Sequence, residues 1–192
     1  MPRGARTYAH GLEPNFQLPE PAVPTHRFAL GNVREGTGSQ PLVVIGMNPS
    51  HASGRWSDAT INRVIQASID RGYAGWLMLN LYPERSPSPA ALGDYDPALS
   101  REHCDVLAAL LERFHVTEVL IAWGNLTHPT LKRAKLDVLQ VLAGRGIRMF
   151  TYSDLTVQGE PRHPSPRRGG SPLSGDRRSW RLVGGRLVPA TG

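Results

Sequence analysis

Three short apolar runs in this chain each end in a polar motif that contains asparagine, glycine or proline. The runs occupy residues 41–45, 76–79 and 118–121. A continuous apolar run of this length that stops at such residues predicts a buried strand leading into a loop. Strands buried on both faces are typical of parallel sheets, whose carboxyl ends meet at one edge, where ligands bind. The pattern therefore predicts an α/β fold with its functional residues on the loops at that edge.

The segments between these runs complete the predicted element order. A strand over residues 26–33 is expected to form a hairpin with 41–45 through the Gly/Ser-rich turn at 36–39. A helix capped by Asp58 or Thr60 is expected to run to about Arg71 and to end at Gly72. Its buried face would consist of Ile61, Val64, Ile65 and Ser68.

Two more helices and a last strand follow. The helices are predicted over residues 101–114 and 128–144, and the strand over 147–151. The second helix would point Leu131, Leu136, Leu139 and Leu142 inward. The order β-β-α-β-α-β-α-β predicts a three-layer α/β/α fold with a central, mostly parallel sheet and helices on both faces.

The chain divides into an arm and one domain. Residues 1–25 contain five prolines and no apolar periodicity, which predicts an irregular arm. Residues 26–192 are then a single α/β domain, long enough for a full core. A long loop is predicted over 84–100, and a small hairpin is predicted from 180–183 and 186–188 around Gly184-Gly185.

The charge of the chain is concentrated near its carboxyl end. The net charge is +6, and residues 162–186 hold seven arginines and one acid, Asp176. This block could be a solvated tail, but it adjoins a His-Pro-Ser-Pro motif at 163–166, where a basic lip would suit a polyanion. Nucleic acid is a better candidate than a membrane, because no amphipathic apolar face accompanies the arginines. With no charged-then-apolar leader at residue 1, a cytoplasmic protein is expected.

Four polar side chains are expected to converge on one pocket. Asn48, Asn80 and Asn125 follow the three apolar runs, and His163 follows the last central strand. The single cysteine and the spacing of the seven histidines match no metal-ligand pattern, so neither a metal nor a cofactor is expected. Such a site would bind a planar polar ligand by hydrogen bonds.

Each of these residues also has a structural interpretation. Asn48, between Gly-Met and Pro, is a good turn former, but its amide oxygen could also orient a water molecule. Asn80 could cap a strand end or pair with an amide edge such as N3–H and O4 of a pyrimidine. Trp56 and Tyr82 are candidates for stacking on a base or for packing anchors.

His163 lies in a loop stiffened by prolines. The flanking Arg162 and Arg167 are expected to disfavour its protonated form. A neutral histidine that donates a hydrogen bond can stabilise an anionic leaving group.

In order along the chain, Gly-Met-Asn-Pro at 46–49, Asn-Leu-Tyr-Pro at 80–83 and His-Pro-Ser-Pro-Arg at 163–167 resemble motifs of the uracil-DNA glycosylase superfamily. The similarity is greatest to its single-strand-selective monofunctional branch. The resemblance implies that Asn48 positions water, Asn80 recognises the uracil edge and His163 supports the leaving base. It also implies a substrate pocket that includes Gly46 and Met47, and a DNA wedge formed by Ser165, Pro166, Arg167 and Arg168. Ser50 stands where the glycosylases have glycine, and Trp56 is the one residue that could replace their phenylalanine.

From about residue 26 to 166 the chain also resembles an uncharacterised bacterial and phage family. That family carries Asn-Pro-Ser, Asp-x-Thr, Asn-Leu and Ala-Trp-Gly, which occur here at 48–50, 58–60, 80–81 and 122–124. This second resemblance covers more of the chain.

Together with the residues described above, the glycosylase resemblance implies a metal-free, monofunctional DNA N-glycosylase with a uracil-DNA-glycosylase-like fold. It would act as a monomer, without a cofactor, on a damaged pyrimidine, with uracil as the expected base, in single- or double-stranded DNA. Two alternatives stay open from the residues alone. One is a non-catalytic nucleic-acid or nucleotide-binding module, and the other is an enzyme acting on a free nucleotide or another small molecule.

Overall fold

A computed structural model describes residues 5–34, 40–165 and 172–190 of the protein. Within these ranges the chain forms an α/β fold with an eight-stranded mixed sheet and three α-helices. The strands are β1 (Phe16–Leu18), β2 (Ala29–Val33), β3 (Leu42–Gly46), β4 (Gly75–Asn80), β5 (Glu118–Ile121), β6 (Arg148–Thr151), β7 (Arg178–Val183) and β8 (Arg186–Pro189). The helices are α1 (Ala59–Asp70), α2 (Pro97–Arg113) and α3 (Pro129–Gly144), and Pro89–Ala91 form one 3-10 turn.

The four predicted central strands are adjacent and parallel. The order across the sheet is β1-β2-β4-β3-β5-β6-β7-β8, and the pairs β3–β4, β3–β5 and β5–β6 are parallel. The strands outside this centre pair antiparallel. β1, drawn from the segment predicted as an irregular arm, is one edge of the sheet, and the predicted β7–β8 hairpin, which is confirmed, is the other.

The predicted hairpin between β2 and β3 is wrong. β2 pairs with β1 and β4, for example Leu30 with Met78, because both edges of β3 are taken by its parallel neighbours β4 and β5. The predicted turn at 36–39 lies outside the described residues. This arrangement covers the edge of β4 that would otherwise expose unpaired backbone groups.

Helix α1 agrees with its prediction. Asp58 caps it by accepting from the backbone N–H groups of Thr60 and Ile61, both at 2.9 Å. The four residues expected to be buried are buried, and Gly72, with φ of +70°, follows its end. The cap satisfies two of the N–H groups that lack partners in the first turn of a helix.

The other two helices correct the prediction in detail. α2 starts at Pro97, four residues earlier than expected, because Asp96 caps it and proline is favoured in the first turn. In α3, Leu136 is exposed rather than inward. The inner face is centred near Leu131 and Leu142 and is completed by Val138 and Ala134, whereas position 136 lies more than a quarter turn round the helix from that centre.

Two core clusters form on the two sides of the sheet. Along β3 the side chains alternate, with Val43 and Ile45 in the cluster that includes α2 and α3. Leu42 and Val44 belong to the cluster that includes α1. Across the described ranges, none of the helices has the length and apolar character that crossing a membrane requires.

The topology fixes where a ligand can bind. The connection through α1 leads from β3 to β4 on one side, whereas the next connection, through α2, crosses back to β5 on the other side of β3. Where successive connections diverge in this way, the carboxyl ends of the strands leave a crevice. The Asn48 loop follows β3 and Asn80 ends β4, so both lie at this crevice.

Candidate functional site

A cavity of about 390 Å³ occupies the crevice at the carboxyl ends of β3 and β4. This volume falls in the range of about 300–1,000 Å³ typical of small-molecule sites. Four of the predicted site residues line it: Met47, Asn48, Asn80 and His163. The chain therefore brings together the two asparagines and the histidine, although they are far apart in sequence.

Asn48 is held by its amide nitrogen. The Nδ2 group donates to the carbonyl oxygens of Pro49 and Ser86, each at 3.1 Å. These two acceptors fix the orientation of the amide, since its oxygen could not bond to either carbonyl. Within the described part of the chain, Oδ1 of Asn48 is left to accept a hydrogen bond from water or a ligand.

Asn80 is a buried amide whose side chain has no hydrogen-bond partner in the described part of the chain. The residue is only 1% exposed, and neither Oδ1 nor Nδ2 makes a hydrogen bond to a described residue. Leaving a buried polar group unpaired costs about 1–3 kcal/mol. An amide that lines a cavity with both its donor and its acceptor free is complementary to a ligand that offers one of each.

The backbone around Asn80 is tightly fixed. The Nε2 group of the buried His103, on α2, donates to the Asn80 carbonyl oxygen at 2.6 Å. At Gly46, opposite it on β3, an added Cβ would lie 2.2 Å from Met78 Cε and 3.0 Å from Asn80 Oδ1. Gly46, predicted as a pocket residue, does not line the cavity itself, but it leaves the room that the side chains of Met78 and Asn80 occupy.

The neutral ring of His163 can donate a hydrogen bond from Nε2. Its Nδ1 accepts from the backbone N–H of Ser165 at 3.1 Å, so in the neutral ring the proton is on Nε2. Burial, together with the nearby positive charge of Arg63, lowers the pKa of His163 below its usual range. The direction is the one expected from the sequence, but Arg162 is exposed and donates from Nε to the Asp154 carbonyl oxygen, and Arg167 lies outside the described residues.

The Ala-Trp-Gly-Asn segment after β5 supports the His163 loop instead of facing the cavity. Trp123 donates to a Glu160 carboxylate oxygen at 2.6 Å, and the Gly124 N–H donates to the Pro161 carbonyl at 2.9 Å. Asn125, expected in the pocket, is exposed and bonds to Thr156 and Gln158. This segment therefore holds in place the chain that leads to His163.

The two aromatic candidates also lie outside the cavity lining. Tyr82 is buried, accepts from the Asp96 N–H at 3.0 Å and stacks on Tyr95. Trp56 is half-buried and lies beneath the Arg55 guanidinium. Both residues are used for packing or surface contacts in this structure.

None of the described arginines of the carboxyl-terminal segment lines the cavity. Arg177 makes two hydrogen bonds to Glu118, at 2.7 and 2.6 Å, and Arg178 pairs with Asp154. Arg181 and Arg186 are exposed on β7 and β8, at the far edge of the sheet. Ser165 is described, whereas Pro166, Arg167 and Arg168 lie outside the described residues.

Sequence reasoning missed Arg27 as a site residue. Arg27 lines the cavity although it is only 2% exposed, and its guanidinium donates from Nη1 to the Ala52 carbonyl oxygen. Burial, and then the charge of Arg85, lowers the pKa of Arg27 to about 10. Its position follows from the antiparallel pairing of β2 with β4, which places the start of β2 beside the end of β4. That pairing was not predicted.

Asp58 lies at the cavity as well as capping α1. It lines the cavity together with Ser50 and Thr60. In the described ranges, no group of three or more His, Cys, Asp or Glu side chains is arranged to hold a metal ion.

These features define an α/β protein with a polar, hydrogen-bonding pocket at the carboxyl edge of its central parallel strands. The chain belongs to DUF1643, a family of proteins of unknown function, whose family model matches residues 27–165. The match extends from Arg27 to Ser165 and so spans the cavity-lining residues. No curated protein matches the chain.

Proposed function

We propose that this protein is a monofunctional N-glycosylase that hydrolyses the glycosidic bond of a damaged pyrimidine, uracil above all, in DNA, on a three-layer fold like that of the uracil-DNA glycosylases. The observation that carries the proposal is the buried, unpartnered amide of Asn80 in the same cavity as Asn48 and His163. A free amide donor and acceptor match the O4 and N3–H of uracil. A flipped base would satisfy both atoms at once.

Asn48 and His163 supply complementary groups for the reaction. The Oδ1 of Asn48 orients a water molecule whose oxygen forms a bond to C1′ as the bond from C1′ to the base nitrogen breaks. The sugar passes through an oxocarbenium-like state, as in other glycoside hydrolyses. An amide is a poor proton acceptor and orients water without deprotonating it, so this role requires a transition state in which a weak nucleophile suffices.

His163 acts on the departing base. Its Nε2–H donates to the developing anion, and the proton that the water loses finally neutralises that base. The net reaction adds water across the bond and leaves an abasic sugar. Because Nδ1 is already bonded to the Ser165 N–H, the ring is oriented before the substrate arrives.

The direct test is excision from oligonucleotides that carry uracil, hypoxanthine or mismatches, as single strands and as duplexes. We expect alkali-labile abasic sites at uracil, unaffected by chelators, since the proposal gives no role to a metal. If wild-type protein binds these strands and excises nothing, the glycosylase proposal fails and the non-catalytic binding module takes its place.

Single-turnover rates of variants test the assigned roles. Asn48→Ala and His163→Ala should each lower the rate by about 10²–10³-fold, with a much smaller effect on DNA affinity, since these contacts act mainly in the transition state. The loss at His163 should persist across neutral pH, where the ring stays neutral. His10→Ala, at an exposed histidine outside the cavity, is the matched control and should keep the wild-type rate.

A further inference from the structure

Arg27 brings a buried positive charge to the cavity without a direct ion pair among the described residues. The residue is almost fully buried, and its Nε–H has no hydrogen-bond partner among the residues that the structure describes. Within residues 5–34, 40–165 and 172–190, no acidic group lies at ion-pair distance from its guanidinium. The Ala52 carbonyl that it contacts offers a dipole and not a charge. A buried cation in this state is costly unless an anion joins it.

A second cation shares the same acceptor. Arg85, half-buried, donates from Nη2 to the Ala52 carbonyl oxygen at 3.2 Å. Two guanidinium groups that converge on one oxygen repel each other, and this repulsion contributes to the lowered pKa of Arg27. An anion bound beside them would relieve the repulsion.

Neither of the other titratable groups near Arg27 pairs with it directly, although Asp58 lines the same cavity and its charge favours the protonated guanidinium. Asp58 has one carboxylate oxygen committed to the first turn of α1, where the helix dipole already stabilises its charge. Tyr8 donates its hydroxyl to the Ser53 carbonyl, and burial raises its pKa far above neutral pH, so it stays uncharged.

We propose that the Arg27 guanidinium forms an oxyanion subsite in this cavity, which takes the phosphate of the nucleotide whose base pairs with Asn80. This inference rests on the proposed function for the base, and adds the phosphate as a second point of recognition. The cavity is much larger than a pyrimidine ring, which leaves room for a sugar and a phosphate. The phosphate belongs either to a free mononucleotide or to the target nucleotide in a strand.

Binding of three probes to the wild-type protein tests the subsite directly. The probes are deoxyuridine, deoxyuridine monophosphate and a short oligonucleotide with one internal uracil, each titrated by calorimetry. We expect the monophosphate to bind at least about 10-fold more tightly than deoxyuridine, as one charge-assisted contact provides. Equal affinities for these two probes would overturn the subsite, and so would no binding of either probe.

The oligonucleotide distinguishes the two sources of phosphate. If the oligonucleotide retains the advantage over deoxyuridine, and that advantage depends on Arg27, the subsite serves nucleotides in a strand. If only the monophosphate shows it, the subsite serves free nucleotides. This second result would support the subsite and count against a DNA substrate. Failure of the phosphate subsite is therefore distinguishable from failure of the glycosylase proposal, which the excision assay tests.

Arg27 variants assign the contact. Arg27→Gln should reduce the monophosphate advantage to near unity while deoxyuridine affinity stays within about 2-fold, and Arg27→Lys should retain part of the advantage. Arg55→Gln, at an exposed arginine outside the cavity, is the matched control. If Arg27→Gln does not fold, Arg85→Gln replaces it, because loss of the neighbouring cation should also weaken monophosphate binding selectively. An undiminished advantage in a folded Arg27→Gln would overturn the assignment.

Discussion

Asn80 is the residue at which we expect the stability of the free protein and the binding of a ligand to make opposite demands. It is buried with both polar atoms unpaired, whereas the amide of Asn48 makes two hydrogen bonds. Asn80→Ala removes groups that cost about 1–3 kcal/mol each when left unpaired, which offsets the packing that is lost. We therefore expect its free energy of unfolding to be unchanged or higher.

Asn48→Ala is the comparison for that experiment. It removes two satisfied contacts and should lower the free energy of unfolding by about 1–2 kcal/mol. Urea denaturation of both variants measures the difference, and uracil or nucleotide binding measures the function lost at Asn80. A large destabilisation by Asn80→Ala would mean that its amide has partners in the free protein.

His103 makes the folded protein sensitive to acid. Burial lowers the pKa of His103 to about 4, while a histidine in an unfolded chain titrates near 6.5. The unfolded state therefore binds the proton first, and stability falls as the pH drops from about 6.5 to about 4, with a total loss of about 3 kcal/mol. Below about pH 4 this contribution no longer changes.

His103→Gln should remove most of this acid dependence while its amide can still donate to the Asn80 carbonyl. Unfolding free energies from denaturant titrations between pH 7 and 4 provide the measurement, with His10→Gln as an exposed control. His163 contributes in the same direction, because its pKa is also lowered, so the variant is expected to retain a smaller slope. An identical pH profile in wild type and His103→Gln would contradict the assignment.

At the scale of elements, the turn after β5 sets the position of His163. Gly124 has φ of +76°, and an added Cβ would lie 2.9 Å from His163 Cβ. Gly124→Ala should cost about 1–2 kcal/mol through its left-handed backbone and should also displace the histidine. Gly146→Ala is a matched control, since Gly146 has φ of +65° with no atom within 4 Å of the added Cβ.

Both glycine variants should lose stability in thermal or urea unfolding, with the larger loss in Gly124→Ala, where the contact with His163 adds to the backbone strain. Only Gly124→Ala should also lower the single-turnover excision rate, or the nucleotide affinity if the ligand is a free nucleotide. Equal function in the two variants would show that the contact between this turn and the His163 loop has no functional consequence.

The elements that the sequence predicts correctly are those with a strong local signal. Continuous apolar runs located β3, β4 and β5, and an apolar stripe with a capping aspartate located α1. The pairing of β2 was predicted wrongly because strand order depends on which edges remain open after distant strands have paired. The start of α2 was missed because Pro97 suggested a loop, although it is the first residue of the helix.

The candidate site shows the same division. Asn48, Asn80 and His163 carry sequence signals, since each follows a predicted strand, and the structure brings them to one cavity. Arg27 carries none, because its place in the cavity results from the antiparallel pairing of β2 with β4. Tyr82 was predicted in the pocket because it follows a strand, but its ring is buried in the core and its hydroxyl accepts a hydrogen bond from the Asp96 N–H.

For the whole molecule, the distribution of positive charge matters more than its total of +6. Arg177 and Arg178 are engaged with acidic side chains, whereas Arg181 and Arg186 are exposed at the far edge of the sheet. Arg167 and Arg168, outside the described residues, directly follow the His163 motif in sequence. If DNA enters at the cavity, we expect these two arginines to contact its phosphates.

The salt dependence of DNA affinity tests this expectation. Each lost phosphate contact should reduce the slope of log K against log salt by about 0.9 on duplex and about 0.7 on single strands, so Arg167→Ala with Arg168→Ala should reduce it by up to about two contacts. Arg181→Ala with Arg186→Ala removes the same charge from β7 and β8 and should leave the slope nearly unchanged. Equal slopes for the two double variants would mean that DNA responds to the overall charge of the protein and does not approach the cavity through the His163 loop.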